Sequence, residues 1–252
     1  MSILTQFILR LSFGMALGMA LTDPRQVTSG YYRNHLYVLL GLNVLATMVA
    51  ITAPGQFALA PPLTAAVLSY LGSLAWLFER PRAGRTLLAL LAAVALYGAW
   101  ANTDWSGAAG TLGVVLVALR PVASGLVLGM TLAAMFLGHW YLNSPGMAIG
   151  PLERLIRIMA GSIALAAIVD GASLAIWLRE AGGATTEQWL FIALRWLSGI
   201  LGAFGLAIMA AKTLKIPNTQ SATGILYVAV IVTFLGELVS LLLASQSPYP
   251  LG

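Results

Sequence analysis

Four ionisable side chains stand inside long apolar stretches of the sequence. They are Arg10, Asp170, Arg195 and Glu237. A charged group at membrane depth costs about 2.5 kcal/mol or more, so such groups turn towards a protein interior where they find partners or water. Two positive and two negative groups could neutralise one another. They would form either a static clamp that fixes helix register or the lining of a polar cavity for a substrate, a proton or a quinone headgroup.

The last apolar stretch carries a run of polar residues with helical spacing. Its members are Gln220, Thr223, Tyr227, Glu237 and Ser240. Residues at this spacing share one side of a helix. The run is longer than one clamp needs and so favours a cavity. Gln220 and Tyr227 therefore join the four charged side chains in a predicted intramembrane polar network.

The two histidines, His35 and His139, are both expected near one membrane interface. Two neutral imidazoles at equal depth on facing helices could ligate the iron of one b-type haem. A conventional dihaem protein is excluded, because it needs four axial histidines. The alternative is that both histidines are anchors or hydrogen-bonding caps in a belt of tyrosines and tryptophans.

Tyr141 and Asn143 follow His139 closely and complete the predicted cofactor-binding set. A quinone site needs an apolar slot with a few hydrogen-bonding groups at its end. His139, Tyr141 and Asn143 could supply those groups. Asp170, Arg195 and Glu237 could then carry protons between the slot and water. The cofactors that this pattern predicts are haem b or quinone.

The composition dictates what must position these residues. Of 252 residues, 60% are hydrophobic and 8% are charged, whereas roughly a quarter are charged in a soluble domain. The chain is therefore predicted to be a single integral membrane domain over residues 1–252. Its basic residues fall in small groups at helix ends, which argues against nucleic-acid binding. The absence of cysteine excludes disulfides, thiolate metal sites and iron–sulfur clusters.

Backbone amides in hydrocarbon must be satisfied internally, so each apolar stretch of about 20 residues is predicted to be a helix. The fold class is thus all-α, a polytopic transmembrane bundle. The eight long candidates are approximately 3–22, 35–53, 60–78, 86–101, 122–142, 152–178, 188–211 and 219–244. A further piece, Gly107 to Leu119, has thirteen residues, too few for a comfortable crossing. We expect a short, interrupted or re-entrant segment there.

The distribution of lysine and arginine over the loops predicts the orientation. With eight crossings, nine basic residues share one side: Arg25, Arg33, Arg80, Arg82, Arg85, Arg154, Arg157, Lys212 and Lys215. The other side then holds Arg179. If Gly107 to Leu119 also crosses, the count becomes seven, now including Arg120, against four. The clearer bias favours eight spans with both termini on the non-cytoplasmic side. The expected location is a bacterial cytoplasmic (inner) membrane.

These features lead to one functional hypothesis and two alternatives. The leading hypothesis is an integral membrane subunit of a respiratory-chain or other electron-transport complex, which binds quinone, one haem or both. The first alternative is a secondary transporter or channel-like protein, because interrupted helices often mark transport sites. The second is a structural or assembly subunit without chemistry of its own. The expected partners are membrane lipid and other protein subunits, and whether the chain is an enzyme stays open.

Overall fold

The computed structural model describes residues 2–52, 59–105, 108, 110–144, 146–180, 185–216 and 218–246. Across the described chain the protein is 89% helical and has no strands. Eight helices of this described part are long and apolar enough to span a membrane. The protein is therefore an integral, multi-pass membrane protein, and the predicted eight spans are confirmed.

The helices, numbered in chain order, account for nearly all of these residues. They are α1 Ile3–Leu21, α2 Ser29–Thr52, α3 Ala60–Leu77, α4 Pro81–Ala101, α5 Gly110–Asn143, α6 Gly150–Glu180, α7 Thr186–Leu194, α8 Ala203–Lys215 and α9 Thr219–Gln246. A π-helical stretch, Arg195–Gly202, joins α7 to α8. Together these three pieces form the seventh span, and α9 is the eighth.

Local sequence signals explain several helix starts. The Ser2 hydroxyl accepts a hydrogen bond from the Thr5 amide at the start of α1, and Thr185 forms a capping box with Gln188 ahead of α7. Pro81 occupies the first position of α4, where the missing amide proton would have no partner in any case. These signals fix where the three helices begin.

The structure differs from expectation at the short apolar segment. Residues 110–119 are the first turns of α5, a continuous helix of 34 residues with Pro121 inside it, and positions 107 and 109 lie outside the described residues. A membrane helix tolerates an interior proline because neighbouring groups satisfy the freed carbonyl. At 1.5 Å per residue α5 is about 51 Å long, well beyond the hydrocarbon thickness of roughly 30 Å.

α5 is the central helix of the bundle. It packs chiefly against α1, α6 and α9, while α2, α3 and α4 form a layer in which α4 contacts α1. Close approach of α1 and α5 depends on glycine, because a Cβ added at Gly125 would lie 2.8 Å from the Arg10 carbonyl oxygen and 2.6 Å from the Phe13 ring. This packing sets α1 and α5 side by side at the level of Arg10.

One end of the bundle collects the basic residues. There the end of α1 lies beside the start of α6, since Thr22, Gly150 and Arg154 line one recess. The α1–α2 loop also lies beside the start of α4, where Pro24 and Pro81 line a second recess. We call this end the basic side and the other end the opposite side.

Candidate functional site

Arg195 is the centre of a buried charged layer. It is the first residue of the π-helical stretch, and its side chain is 2% exposed. Its Nε and Nη2 donate hydrogen bonds to Asp170 Oδ2 on α6, at 3.1 and 2.9 Å. Nη2 also lies 2.6 Å from Glu237 Oε1 on α9. One guanidinium thus bridges carboxylates from two neighbouring helices.

Glu237 links this bridge to α5 and α1. The Ser124 hydroxyl donates a hydrogen bond to Glu237 Oε2 at 2.5 Å, and Arg10 Nη1 donates to Ser124 Oγ at 3.4 Å. Arg10 Nε donates to Gln6 Oε1 at 3.3 Å. Polar contacts therefore run without a break from α1 through α5 and α9 to α6. The four charged residues predicted to meet do meet in one layer.

Two glycines let the seventh span and α9 come close enough for these contacts. A Cβ added at Gly199 would lie 2.8 Å from Gly236 Cα and 2.9 Å from Arg195 Nη1. Gly236 directly precedes Glu237, so the closest backbone approach falls beside the ion pair. Space for the Arg195 side chain therefore depends on the absence of side chains at both positions.

Arg120 is a fifth member of the layer that the sequence patterns missed. It is 7% exposed and lies one helical turn before Ser124 on α5, within electrostatic range of Arg10, Asp170, Arg195 and Glu237. Among the described residues, its Nε and Nη2 have no hydrogen-bond partner. Apolar residues flank it on both sides, which is the signal that would have identified it.

The layer carries more positive than negative charge. In the described part of the chain the buried acidic and basic side chains are Arg10, Arg120, Asp170, Arg195 and Glu237. Three guanidinium groups against two carboxylates leave a charge of +1 when all five are ionised. Glu237 Oε1, although close to Arg195, accepts no hydrogen bond among the described residues, so its contact with Arg195 is an ion pair alone. The layer is thus connected but not neutral.

The residues of this layer come from segments that are far apart in the sequence, so no short sequence motif contains them. No family model, curated protein or solved structure matches this chain.

Two members of the predicted polar network lie elsewhere. Gln220 is exposed in the first turn of α9, towards the basic side. Tyr227 is 44% exposed, and its hydroxyl lies 3.1 Å from His139 Nδ1. The polar run on α9 therefore divides between two regions, and only Glu237 of these three reaches the charged layer.

His35 lies in an aromatic cluster made by Tyr31, His35, Phe136 and Trp140. Its ring stacks on Phe136 with centroids 4.3 Å apart, and Trp140 lies 6.2 Å away. Its Nδ1 is 2.6 Å from the Tyr31 carbonyl oxygen. A carbonyl can only accept, so Nδ1 carries the proton, and in the neutral imidazole Nε2 then keeps its lone pair.

The remaining predicted cofactor residues have partners of their own. His139 is exposed and faces Tyr227 on α9, whereas His35 on α2 stacks on Phe136 of α5. The Tyr141 hydroxyl donates to the Ala148 carbonyl, and Asn143 Nδ2 donates to the His139 carbonyl at 3.5 Å. No group of three or more His, Cys, Asp or Glu in the described residues is arranged to hold a metal ion. Haem ligation by the two histidines stays a prediction.

Proposed function

We propose that this protein is a secondary transporter or channel-like membrane protein whose charged layer binds an anionic group of its solute. The observation that carries this proposal is the buried Arg120 guanidinium, whose Nε and Nη2 have no hydrogen-bond partner among the described residues and which lies beside a cluster that already contains two cations and two anions. An uncompensated buried charge is strongly unfavourable. A bound anion would supply the missing negative charge.

Helix irregularities at the same level support transport over a static clamp. Pro121 follows Arg120 inside α5, and the π-helical stretch begins at Arg195. α5 continues through Pro121, but an interior proline leaves a backbone carbonyl without its amide partner, and π-helical turns are frequent at functional sites. A clamp needs neither an excess cation nor two irregular helices.

Replacing Arg120 with methionine tests the proposal through the sign of its effect on stability. Arg120→Met removes the unpaired charge and keeps a side chain of similar length. Without a binding anion, we expect its free energy of unfolding to rise by about 1–3 kcal/mol. Thermal unfolding in nanodiscs, with gluconate as a bulky anion, measures this effect.

The same variant tests anion binding. At constant ionic strength, chloride, phosphate, acetate and succinate are compared with gluconate, and at least one is expected to stabilise the unmodified protein. Arg120→Met is expected to abolish that stabilisation, while Arg179→Gln, at the exposed end of α6, keeps it. A destabilised Arg120→Met protein, together with no response to any of the anions, would show that Arg120 is structural.

Uptake then separates transport from binding alone. Proteoliposomes that contain only this chain are loaded with buffer and supplied with the stabilising anion in radiolabelled form. Accumulation above that of empty liposomes, lost in Arg120→Met and retained in Arg179→Gln, is expected. Anion binding without uptake would show that the protein is an anion-binding membrane subunit and would overturn the proposal of transport.

The second candidate function is the quinone-binding subunit of an electron-transport complex. The observation that favours it is the His139–Tyr227 pair, which joins two hydrogen-bonding groups on the lipid-accessible surface. A quinone carbonyl approaching from the bilayer could accept a hydrogen bond from such a pair. Quinone-dependent electron transfer by the intact assembly, weakened in Tyr227→Phe, would support it. A haem α-band in the absorption spectrum of the reduced protein that disappears in His35→Ala would support a bound haem. Partner proteins that co-purify without electron transfer or anion uptake would indicate an assembly subunit.

The basic side is proposed to face the cytoplasm of a bacterial cell, across its cytoplasmic membrane. The nine basic residues of that side support this orientation. The charged layer then lies in the outer half of the bilayer. Solute would approach it from outside the cell.

A further inference from the structure

Three arginines line one recess on the basic side, at a distance from the charged layer. Arg25 comes from the α1–α2 loop, and Arg82 and Arg85 come from the first turns of α4. The recess has a volume of about 480 Å³, which falls within the usual range for small-molecule sites. Its other walls are Pro24, Pro81 and Thr86.

The recess is positive and lacks an acidic group in its lining. Within the described chain, no carboxylate lies within ion-pair distance of Arg25, Arg82 or Arg85. All three are exposed. Arginine is the side chain best suited to a phosphate group, because its planar donors match two phosphate oxygens. An anion with phosphate chemistry fits this lining.

The recess also lies where a lipid headgroup would be. Pro81 begins a membrane span, so Arg82 and Arg85 stand at the boundary between hydrocarbon and water.

The surface below the recess favours a lipid over a soluble phosphate. Arg82, Thr86 and Leu90 are four residues apart along α4 and therefore share one face. Leu90 is 48% exposed, so this face passes from a cationic end to an apolar stretch along the direction of an acyl chain. A free phosphate would contact only the cationic end of this face.

We propose that Arg25, Arg82 and Arg85 form a binding site for the phosphate headgroup of an anionic glycerophospholipid, whose acyl chain lies along the exposed face of α4. The interaction anchors the α1–α2 loop to the start of α4. Each of these arginines near a membrane surface strengthens binding by about fivefold. Removing two of them weakens binding by about 25-fold.

The test uses the full chain in nanodiscs of phosphatidylcholine with or without phosphatidylglycerol. Arg82→Gln/Arg85→Gln is compared with Lys212→Gln/Lys215→Gln, which removes two charges from the same side at the end of α8. We expect phosphatidylglycerol to raise the Tm of the unmodified protein and of the lysine variant, but not that of the arginine variant. Mass spectrometry of lipid retained after detergent exchange should follow the same order. If the arginine variant does not fold, Arg25→Gln in the exposed loop is tested instead. Its lipid retention should be about fivefold weaker than that of the unmodified protein.

Three results would overturn the proposal. Equal loss of lipid by the arginine and lysine variants would mean that surface charge acts without a defined site. Retention by the arginine variant at the level of the unmodified protein would remove the site altogether. Equal stabilisation by glycerol 3-phosphate in pure phosphatidylcholine would assign the recess to a soluble phosphate compound.

Discussion

The charged layer and the aromatic cluster satisfy their polar groups in different ways. In the layer, Arg195 finds its partners on two other helices. In the cluster, His35 hydrogen-bonds one turn back along its own helix, to the Tyr31 carbonyl. Hydrocarbon offers charged groups no water, so they must converge across the bundle, whereas a residue near the interface can be satisfied locally. Contacts between helices that are far apart in the sequence should therefore contribute most to the free energy of unfolding where the charged groups lie deepest.

Loss of Arg195 is expected to have the largest effect. Arg195→Gln removes both ion pairs and leaves two carboxylates facing each other in a buried site, which should cost about 3–5 kcal/mol of unfolding free energy. Denaturant unfolding in mixed micelles measures the loss. Arg179→Gln, which removes an exposed arginine, should change stability by less than about 0.5 kcal/mol. Similar values for the two variants would mean that the layer contributes no more than a surface charge.

A methyl group at the helix crossing tests whether close packing holds the layer together. Gly236→Ala places a Cβ against the Gly199 backbone and should cost about 1–3 kcal/mol through overpacking. Gly224→Ala is the matched control on α9, because a Cβ there meets nothing within 4 Å. The control should be neutral or slightly stabilising, given the higher helix propensity of alanine. A neutral Gly236→Ala would show that the two spans can separate freely.

Replacing the two histidines is expected to give the smallest changes in the free energy of unfolding. The comparison distinguishes a buried histidine from an exposed one. His35→Ala removes a buried ring and its hydrogen bond to Tyr31, at a cost of about 1–2 kcal/mol. His139→Ala affects an exposed side chain and should cost less than about 0.5 kcal/mol. Thermal unfolding of both variants in the same nanodiscs gives the comparison. Equal losses would indicate that His139 has a structural partner comparable to that of His35.

The spans and the meeting of four charges could be predicted because both follow from the exclusion of water. Apolar length alone gave eight helices, and the depth of Arg10, Asp170, Arg195 and Glu237 gave their common level. The identity of their contacts could not be predicted. Ser124 mediates the link between Arg10 and Glu237, and nothing in the composition of α5 separates it from serines that bond to their own helix.

Helix boundaries were harder to predict where polar residues continue a span. α2 begins at Ser29 and α4 at Pro81, several residues before the apolar stretches at 35 and 86. Arg82 and Arg85 have long side chains that reach the interface while their backbone stays helical, whereas Tyr31 is buried and its hydroxyl donates to the Ala133 carbonyl. The same continuity hid Arg120. Its charge and the following proline resembled a loop, although both lie inside α5.

The link between α1 and α9 has a consequence for biosynthesis. The ribosome delivers Arg10 to the membrane before any of the helices that carry Ser124, Asp170 and Glu237 exist. α1 is nevertheless the most enclosed span, with 78% of its apolar window buried. We therefore expect α1 to wait near the bilayer surface, or beside the insertion machinery, until α9 emerges. Truncation of α9 should then leave a nascent chain whose first helix remains accessible to proteases and insertion factors.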